Sequence, residues 1–98
     1  AGARAPDACR MKLVVLRRRI DRLDLRLLDL LNQRALLALR VGALKRRRQQ
    51  PIFDPKREQR VLHRMAQKSR GPLSKAAVRD IFRAILRYSR TLQRSRIT

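Results

Sequence analysis

Residues 12–47 read KLVVLRRRIDRLDLRLLDLLNQRALLALRVGALKRR, a leucine-rich stretch with one glycine and no proline. From Leu13 its apolar positions follow alternating steps of three and four residues, which is the spacing of a coiled-coil-like helix. Arg34 interrupts this seam, whose apolar members are Leu13, Leu16, Ile20, Leu23, Leu27, Leu30, Leu37, Val41 and Leu44. Further apolar residues widen the stripe, so the helix should pack against more than one partner. The stretch predicts one long helix over about residues 12–47.

Two shorter helices are predicted after this one. Residues 48–55 read RQQPIFDP, and their two prolines break the helical pattern. Asp54 can then cap a second helix with Pro55 in its first position, and Ser74 can cap a third. Gly71 and Pro72 separate the two. The apolar face of the second helix is Val61, Leu62 and Met65, and that of the third is Val78, Ile81, Phe82, Ile85, Leu86 and Leu92.

The size and composition of the chain favour a single all-α domain. Ninety-eight residues support one core, and the low aromatic content of 3% with only three glycines favours helices over strands. Residues 1–11, AGARAPDACRM, are small or polar and contain Pro6, so we expect a loose tail followed by one domain over residues 12–98. The prediction is three helices per chain: long, short and medium.

The length of the first helix indicates a dimer. At about 1.5 Å per residue this helix is roughly 50 Å long, whereas a compact domain of this size has a radius of gyration of about 13 Å. One copy of the chain could not cover such a helix. We therefore expect an intertwined helical homodimer, in which two long helices pack along each other and the shorter helices close over them.

The charge of the chain is strongly positive. Lys and Arg number 27 against seven acids, a net charge of +20, which points to a polyanionic partner such as nucleic acid. The excess is spread over all three helices and no nucleic-acid-binding motif accompanies it, so non-specific binding is the most that we expect. Cys9 is the single cysteine and His63 the single histidine, so no metal site is predicted. No apolar run is long enough for a membrane span, and a cytoplasmic location is expected.

Polar residues at apolar positions are the first functional signal. Arg34 occupies a seam position, where an arginine needs an anion or must extend to the surface. Lys45 lies eleven residues later, so it returns nearly to the same helix face. Ser89 and Gln93 continue the stripe of the third helix and should point inward, unless the stripe frays there. These cations and hydrogen-bonding groups would then either face a ligand or form part of a solvated basic surface.

Acidic residues at the start of the second helix are a further signal. Asp54 and Glu58 are four residues apart and flank Arg57. Carboxylates at a helix N-terminus suit its dipole, and capping alone could explain Asp54. Glu58 is the only glutamate in a chain rich in positive charge.

These residues resemble a known family. LRRRIDRLDLRLLDLLNQR at 16–34 is similar to the opening motif of AroQ-class chorismate mutases, and Lys45 follows at the expected spacing. PIFDPKRE at 51–58 resembles the loop and second-helix start of that family, and YSRTLQ at 88–93 resembles its closing Ser and Gln pair. The resemblance covers about residues 12–95. It does not account for many of the other arginines, among them those at 46, 83, 87 and 90.

The resemblance implies a chorismate mutase that converts chorismate to prephenate in aromatic amino-acid biosynthesis, without metal or cofactor. It assigns the carboxylates of the substrate to Arg17 of the partner subunit, Arg34 and Ser89, and its ether oxygen to Lys45 and Gln93. Glu58 with Asp54 would hold the ring hydroxyl, and Arg57 would order the pocket. Arg17 should act in trans, because seventeen residues of helix, about 25 Å, separate it from Arg34.

Three alternatives remain at this point. The fold also resembles isochorismate-pyruvate lyases, which act on a related enolpyruvyl substrate; the Asp54 and Glu58 pair and Gln93 favour the mutase. A basic helical module that binds nucleic acid is supported by the charge alone. An inactive dimeric relative is disfavoured because all eight positions carry the residue types of the family.

Overall fold

The computed structural model describes residues 4–95, with side chains from Arg10 onward. Three helices form the described part of the chain: α1, Arg4–Arg47; α2, Pro55–Lys68; and α3, Lys75–Arg94. No strand is found between residues 4 and 95. The predicted all-α class and the order long, short, medium are therefore confirmed. None of these helices is long and apolar enough to cross a membrane.

The first helix starts earlier than the sequence predicted. It begins at Arg4 and not near residue 12, so residues 4–11 of the predicted tail are helical, while residues 1–3 lie outside the described part. Pro6 is compatible with this start because the first backbone N–H groups of a helix have no partner within the helix. The predicted end of the helix at residue 47 agrees with the structure.

The helix ends follow the predicted signals. The Asp54 side chain accepts a hydrogen bond from the Arg57 backbone N–H at 3.1 Å, with Pro55 in the first turn, and Ser74 caps α3 through Ala77 at the same distance. Two residues after the end of α1, Gln49 lies in the left-handed region at φ 54°, an uncommon conformation for a residue other than glycine. The backbone N–H of Gln50 bonds to the carbonyl of Lys45 at 2.8 Å, which closes the helix end.

The chain divides into two units, the first ending at Arg34 and the second beginning at Ala35. In the second unit α2 packs on α3 through Val61, Leu62 and Leu86, with Met65 and Phe82 against them. Ser89 is also buried, as its place in the α3 stripe predicted. Ile81, predicted to belong to that stripe, is 47% exposed because it lies at the edge of the stripe.

The seam of α1 is exposed in the single chain. Its nine apolar residues, Leu13 to Leu44, keep between 42% and 60% of their surface accessible. Water-exposed leucines repeated along one helix face are unfavourable, at roughly 25 cal/mol for each Å² that burial would remove from water. The sequence therefore encodes an apolar face that one copy of the chain leaves uncovered.

Candidate active site

Lys45 lies where α1 turns into the loop to α2. Its side chain is half-buried, and Nζ donates a hydrogen bond to the backbone carbonyl of Ile52 at 3.0 Å. An ammonium group has three N–H donors, so this bond holds the amine in place and leaves two donors for other acceptors. A cleft of about 410 Å³ opens beside it, lined by Lys45, Gln50, Pro51, Phe53, Asp54, Pro55 and Lys56.

Asp54 lines the same cleft as Lys45 and also begins α2. One carboxylate oxygen accepts the backbone N–H of Arg57, so the capping explanation of Asp54 is correct. Asp54 nevertheless lines the cleft, so it is near any ligand that would bind there. The Arg57 residue is exposed on the first turn of α2.

Glu58 lines a neighbouring cleft of about 270 Å³ together with Gln59, Leu62 and three arginines of α3. Phe53 and Pro55 line both clefts, so the cleft of Glu58 adjoins that of Lys45. Oε1 of Glu58 accepts a hydrogen bond from Nη1 of Arg90. This ion pair is partly buried, with side-chain exposures of 18% for Glu58 and 26% for Arg90.

Gln93 and Ser89 lie on the inward face of α3. The Oε1 atom of Gln93 is buried and has no hydrogen-bond partner, which makes it an acceptor that a ligand or water could satisfy. A side-chain amide carries a donor NH₂ beside its acceptor oxygen, so a rotation of the amide by 180° would present the donor at the same position. Ser89 Oγ donates to the carbonyl of Ile85 at 2.9 Å. Both residues therefore occupy the inward positions that the sequence predicted.

Two α1 residues, Gly42 and Arg46, contact the backbone of Gln93. A Cβ added to Gly42 would lie 2.4 Å from the Gln93 carbonyl oxygen and 2.6 Å from its Cα, so only glycine fits this approach of α1 to α3. One turn later Nη1 of Arg46 donates to the carbonyls of Gln93 and Ser95 at 2.9 and 3.1 Å. These bonds satisfy carbonyls at the end of α3 that have no partner within the helix.

The two remaining candidates lie in the first unit. Arg17 is exposed on α1, and Arg34 is half-buried and takes part in an interaction within the chain. The structure thus gathers Lys45, Asp54, Glu58, Ser89 and Gln93 in the second unit, along the two clefts and the inward face of α3. The roles of all eight candidates remain predictions.

Sequence reasoning did not single out Gly42, Arg46 or Arg90. Gly42 carried a usable signal, because a glycine inside a leucine-rich helix costs about 1 kcal/mol relative to alanine and suggests a close contact. Arg46 and Arg90 carried none, since a chain with 27 Lys and Arg residues offers no way to distinguish them from its other cations. Only the fold shows which arginines have partners.

Residues 16–94 match the model of the family described as chorismate mutase type II. Two curated relatives are bifunctional chorismate mutase/prephenate dehydratases. The one from Aquifex aeolicus is 35% identical over 79 residues, and the one from Pseudomonas aeruginosa is 39% identical over 80 residues. Each alignment covers 76% of this chain and 22% of the relative, so the chain spans less than a quarter of their length.

Solved structures of similar length share the fold. Chorismate mutase (form II) from Thermus thermophilus superposes with a TM-score of 0.85 at 29% identity, covering 87% of this chain and 97% of that one. Chorismate mutase from Helicobacter pylori in complex with prephenate gives a TM-score of 0.76 at 36% identity, covering 83% and 88%. The family resemblance of the sequence is therefore confirmed: the chain belongs to the chorismate mutase type II family.

Proposed function

We propose that this chain catalyses the rearrangement of chorismate to prephenate. The observation that carries the proposal is that all eight candidate residues, from Arg17 to Gln93, lie inside the stretch that matches the family. The second unit supplies a compatible setting, in which a lysine and two carboxylates line two clefts that share Phe53 and Pro55, and in which the buried amide oxygen of Gln93 has no hydrogen-bond partner. A related structure, that of the Helicobacter pylori enzyme, contains prephenate.

The reaction is a Claisen rearrangement within one molecule. An ether C–O bond breaks while a C–C bond forms, so every atom of the substrate is retained and no nucleophile or proton transfer is required. The ether oxygen gains negative charge as its bond to carbon weakens. The protein therefore needs to hold the substrate in a reactive conformation and to stabilise that charge.

The proposed roles follow from this charge pattern. Lys45 would donate to the ether oxygen with one of the N–H groups not used by Ile52, and the amide of Gln93 would be a second donor. Glu58 and Asp54 would bind the ring hydroxyl. Arg34, Ser89 and Arg17 of a second subunit would bind the two carboxylates, and Arg57 would order the pocket.

The proposal includes a homodimer whose subunits associate through the seam of α1. The support is the continuous exposure of that seam in the single chain, which a second copy of the same helix would cover. A subunit interface also lets Arg17 contribute to a cleft of the other subunit, as the sequence predicted.

Introducing a charge in the seam should separate the subunits. Leu27 is 55% exposed in the single chain, and we expect Leu27→Asp to place an unpaired carboxylate in the interface and to abolish the dimer. Light scattering coupled to size-exclusion chromatography measures the mass. The matched control is Leu25→Asp, because Leu25 is 68% exposed and lies on the opposite face of the helix. A dimeric Leu27→Asp variant would contradict the proposed interface.

Mixing two inactive variants should restore activity if Arg17 acts in trans. Arg17→Ala and Lys45→Ala homodimers each lack one group in both sites. A heterodimer has one site lacking both groups and one intact site, so random exchange should recover about one quarter of wild-type activity. Activity of a co-refolded equimolar mixture measures this recovery. No recovery, despite heterodimers detected by mass spectrometry, would show that both residues act in the same subunit.

The reaction itself is tested by following the loss of chorismate absorbance and identifying the product. Formation of prephenate by the purified dimer is the expected result. Release of pyruvate would instead support the isochorismate-pyruvate lyase alternative, and it is best tested with isochorismate as a second substrate. A folded dimer that turns over neither compound would contradict the proposal and favour an inactive relative.

A further inference from the structure

One arginine outside the predicted site makes direct contact with a candidate site residue. Arg90 follows Ser89 on α3, and its guanidinium forms the partly buried ion pair with Glu58 on α2. Solvent screens such a pair less than an exposed one, so the contact constrains both side chains more strongly. The Glu58 carboxylate therefore already has a cationic partner without any substrate.

A second contact fixes Arg90 itself. Its Cζ atom lies 5.1 Å from the centre of the Phe53 ring, within the range of a cation–π interaction. Phe53 belongs to the loop before α2 and lines both clefts. The guanidinium of Arg90 thus links that loop and α2 to α3. Held on two sides, it acts as an oriented hydrogen-bond donor and not as a mobile surface charge.

We propose that Arg90 is a positioning residue for Glu58, and this inference rests on the proposed function. A carboxylate has two oxygens, each able to accept more than one hydrogen bond. Arg90 occupies Oε1 of Glu58, which leaves Oε2 to accept the hydroxyl of the substrate ring. Because the carboxylate is ordered before the substrate arrives, binding does not have to pay the entropy of ordering it.

Neighbouring arginines show that the contact is specific. Arg83 and Arg87 line the same cleft as Arg90. Nη1 of Arg83 pairs with Asp80 at 3.1 Å, and Cζ of Arg87 lies 5.3 Å from the centre of the Tyr88 ring. Among the described residues, neither forms a hydrogen bond or an ion pair with Glu58. Arg87 therefore provides a matched control: an arginine of the same helix and cleft without the proposed role.

A double-mutant cycle tests the inference. Steady-state kcat and KM for chorismate are measured for the wild type, Arg90→Met, Glu58→Gln and the double variant. We expect Arg90→Met to lower kcat/KM on the order of tenfold, mainly through KM, because the hydroxyl contact exists before and during the reaction. The double variant should be no worse than Glu58→Gln, since Arg90 then has no carboxylate to orient. Arg87→Met should leave both constants near wild-type values.

Several outcomes would overturn the inference. If the losses of kcat/KM in the two single variants multiply in the double variant, Arg90 does not act through Glu58. If Arg87→Met loses as much kcat/KM as Arg90→Met, the effect is one of general charge. If Arg90→Met does not fold, Arg90→Lys takes its place in the cycle, since it keeps the charge but not the planar donor. Failure of the wild type to convert chorismate would refute the proposed function, whereas additivity in an active enzyme refutes the role of Arg90 alone.

Discussion

Replacing Lys45 by alanine is expected to lower kcat for chorismate by about 10² to 10³-fold, the range found when one preorganised donor to a developing oxyanion is removed. The bond from Nζ to the Ile52 carbonyl holds the amine at the edge of the cleft, so it needs little reorganisation when the ether oxygen gains charge. Because that charge develops in the transition state, kcat should fall more than KM rises.

A lysine in the same cleft provides the control for this variant. Lys56 lines the cleft with Lys45 but is exposed and belongs to none of the proposed contacts. Lys56→Ala removes the same charge and should leave kcat almost unchanged at about 0.15 M salt, where exposed charges are screened beyond roughly 8 Å. Thermal unfolding checks that Lys45→Ala remains folded. Wild-type turnover in a folded Lys45→Ala dimer would remove Lys45 from the mechanism.

Replacing Gly42 by alanine is expected to destabilise the protein and to reduce its activity together. In a helix with free space, this change would stabilise by about 0.5–1 kcal/mol. Here the new Cβ would lie 2.4 to 2.9 Å from backbone atoms of Gln93, which cannot rotate away as a side chain could. Overpacking of this kind costs about 1–3 kcal/mol, which lowers the melting temperature of a domain this size by about 4–8 °C for each kcal/mol.

Gly71 gives the matched control for Gly42→Ala, because it is a glycine with open space around it. No atom lies within 4 Å of a Cβ added to Gly71, and its φ is not positive. Gly71→Ala should therefore leave the melting temperature unchanged or slightly higher. Both variants are compared at one protein concentration, because the unfolding of a dimer depends on concentration. An equal or raised melting temperature for Gly42→Ala would show that α1 and α3 do not meet at this point.

Local rules explain why so much of the fold could be predicted from the sequence. Asp54 and Ser74 both cap the helices they were expected to cap, because an N-cap needs only a short oxygen-bearing side chain three residues before an N–H group. The seam of α1 also followed from spacing alone. The start of α1 was missed because the sequence rule treats Pro6 as a break, whereas proline is tolerated in a first turn.

The site could be predicted only in part, and the reason is physical. The family motif singled out Lys45, Glu58 and Gln93 as candidates, but not the groups that contact them. Those groups are the Ile52 carbonyl, Arg90 and the pair of Gly42 and Arg46, and their contacts connect separate elements of the fold. The contacts of Glu58 with Arg90 and of Gln93 with Arg46 join residues 32 and 47 positions apart, and such contacts leave no periodic trace in a single sequence.

The two bonds from Arg46 tie the end of α3 to α1, and this has a kinetic consequence. Terminal helical turns open and close far more often than helix centres, and Gln93 lies in the last turn of α3. On the proposed mechanism, each opening would carry the Gln93 amide away from the substrate and pause catalysis without unfolding the domain. On that mechanism Arg46 would set the fraction of time during which a folded molecule can catalyse the reaction, and amide hydrogen exchange at the end of α3 measures that fraction.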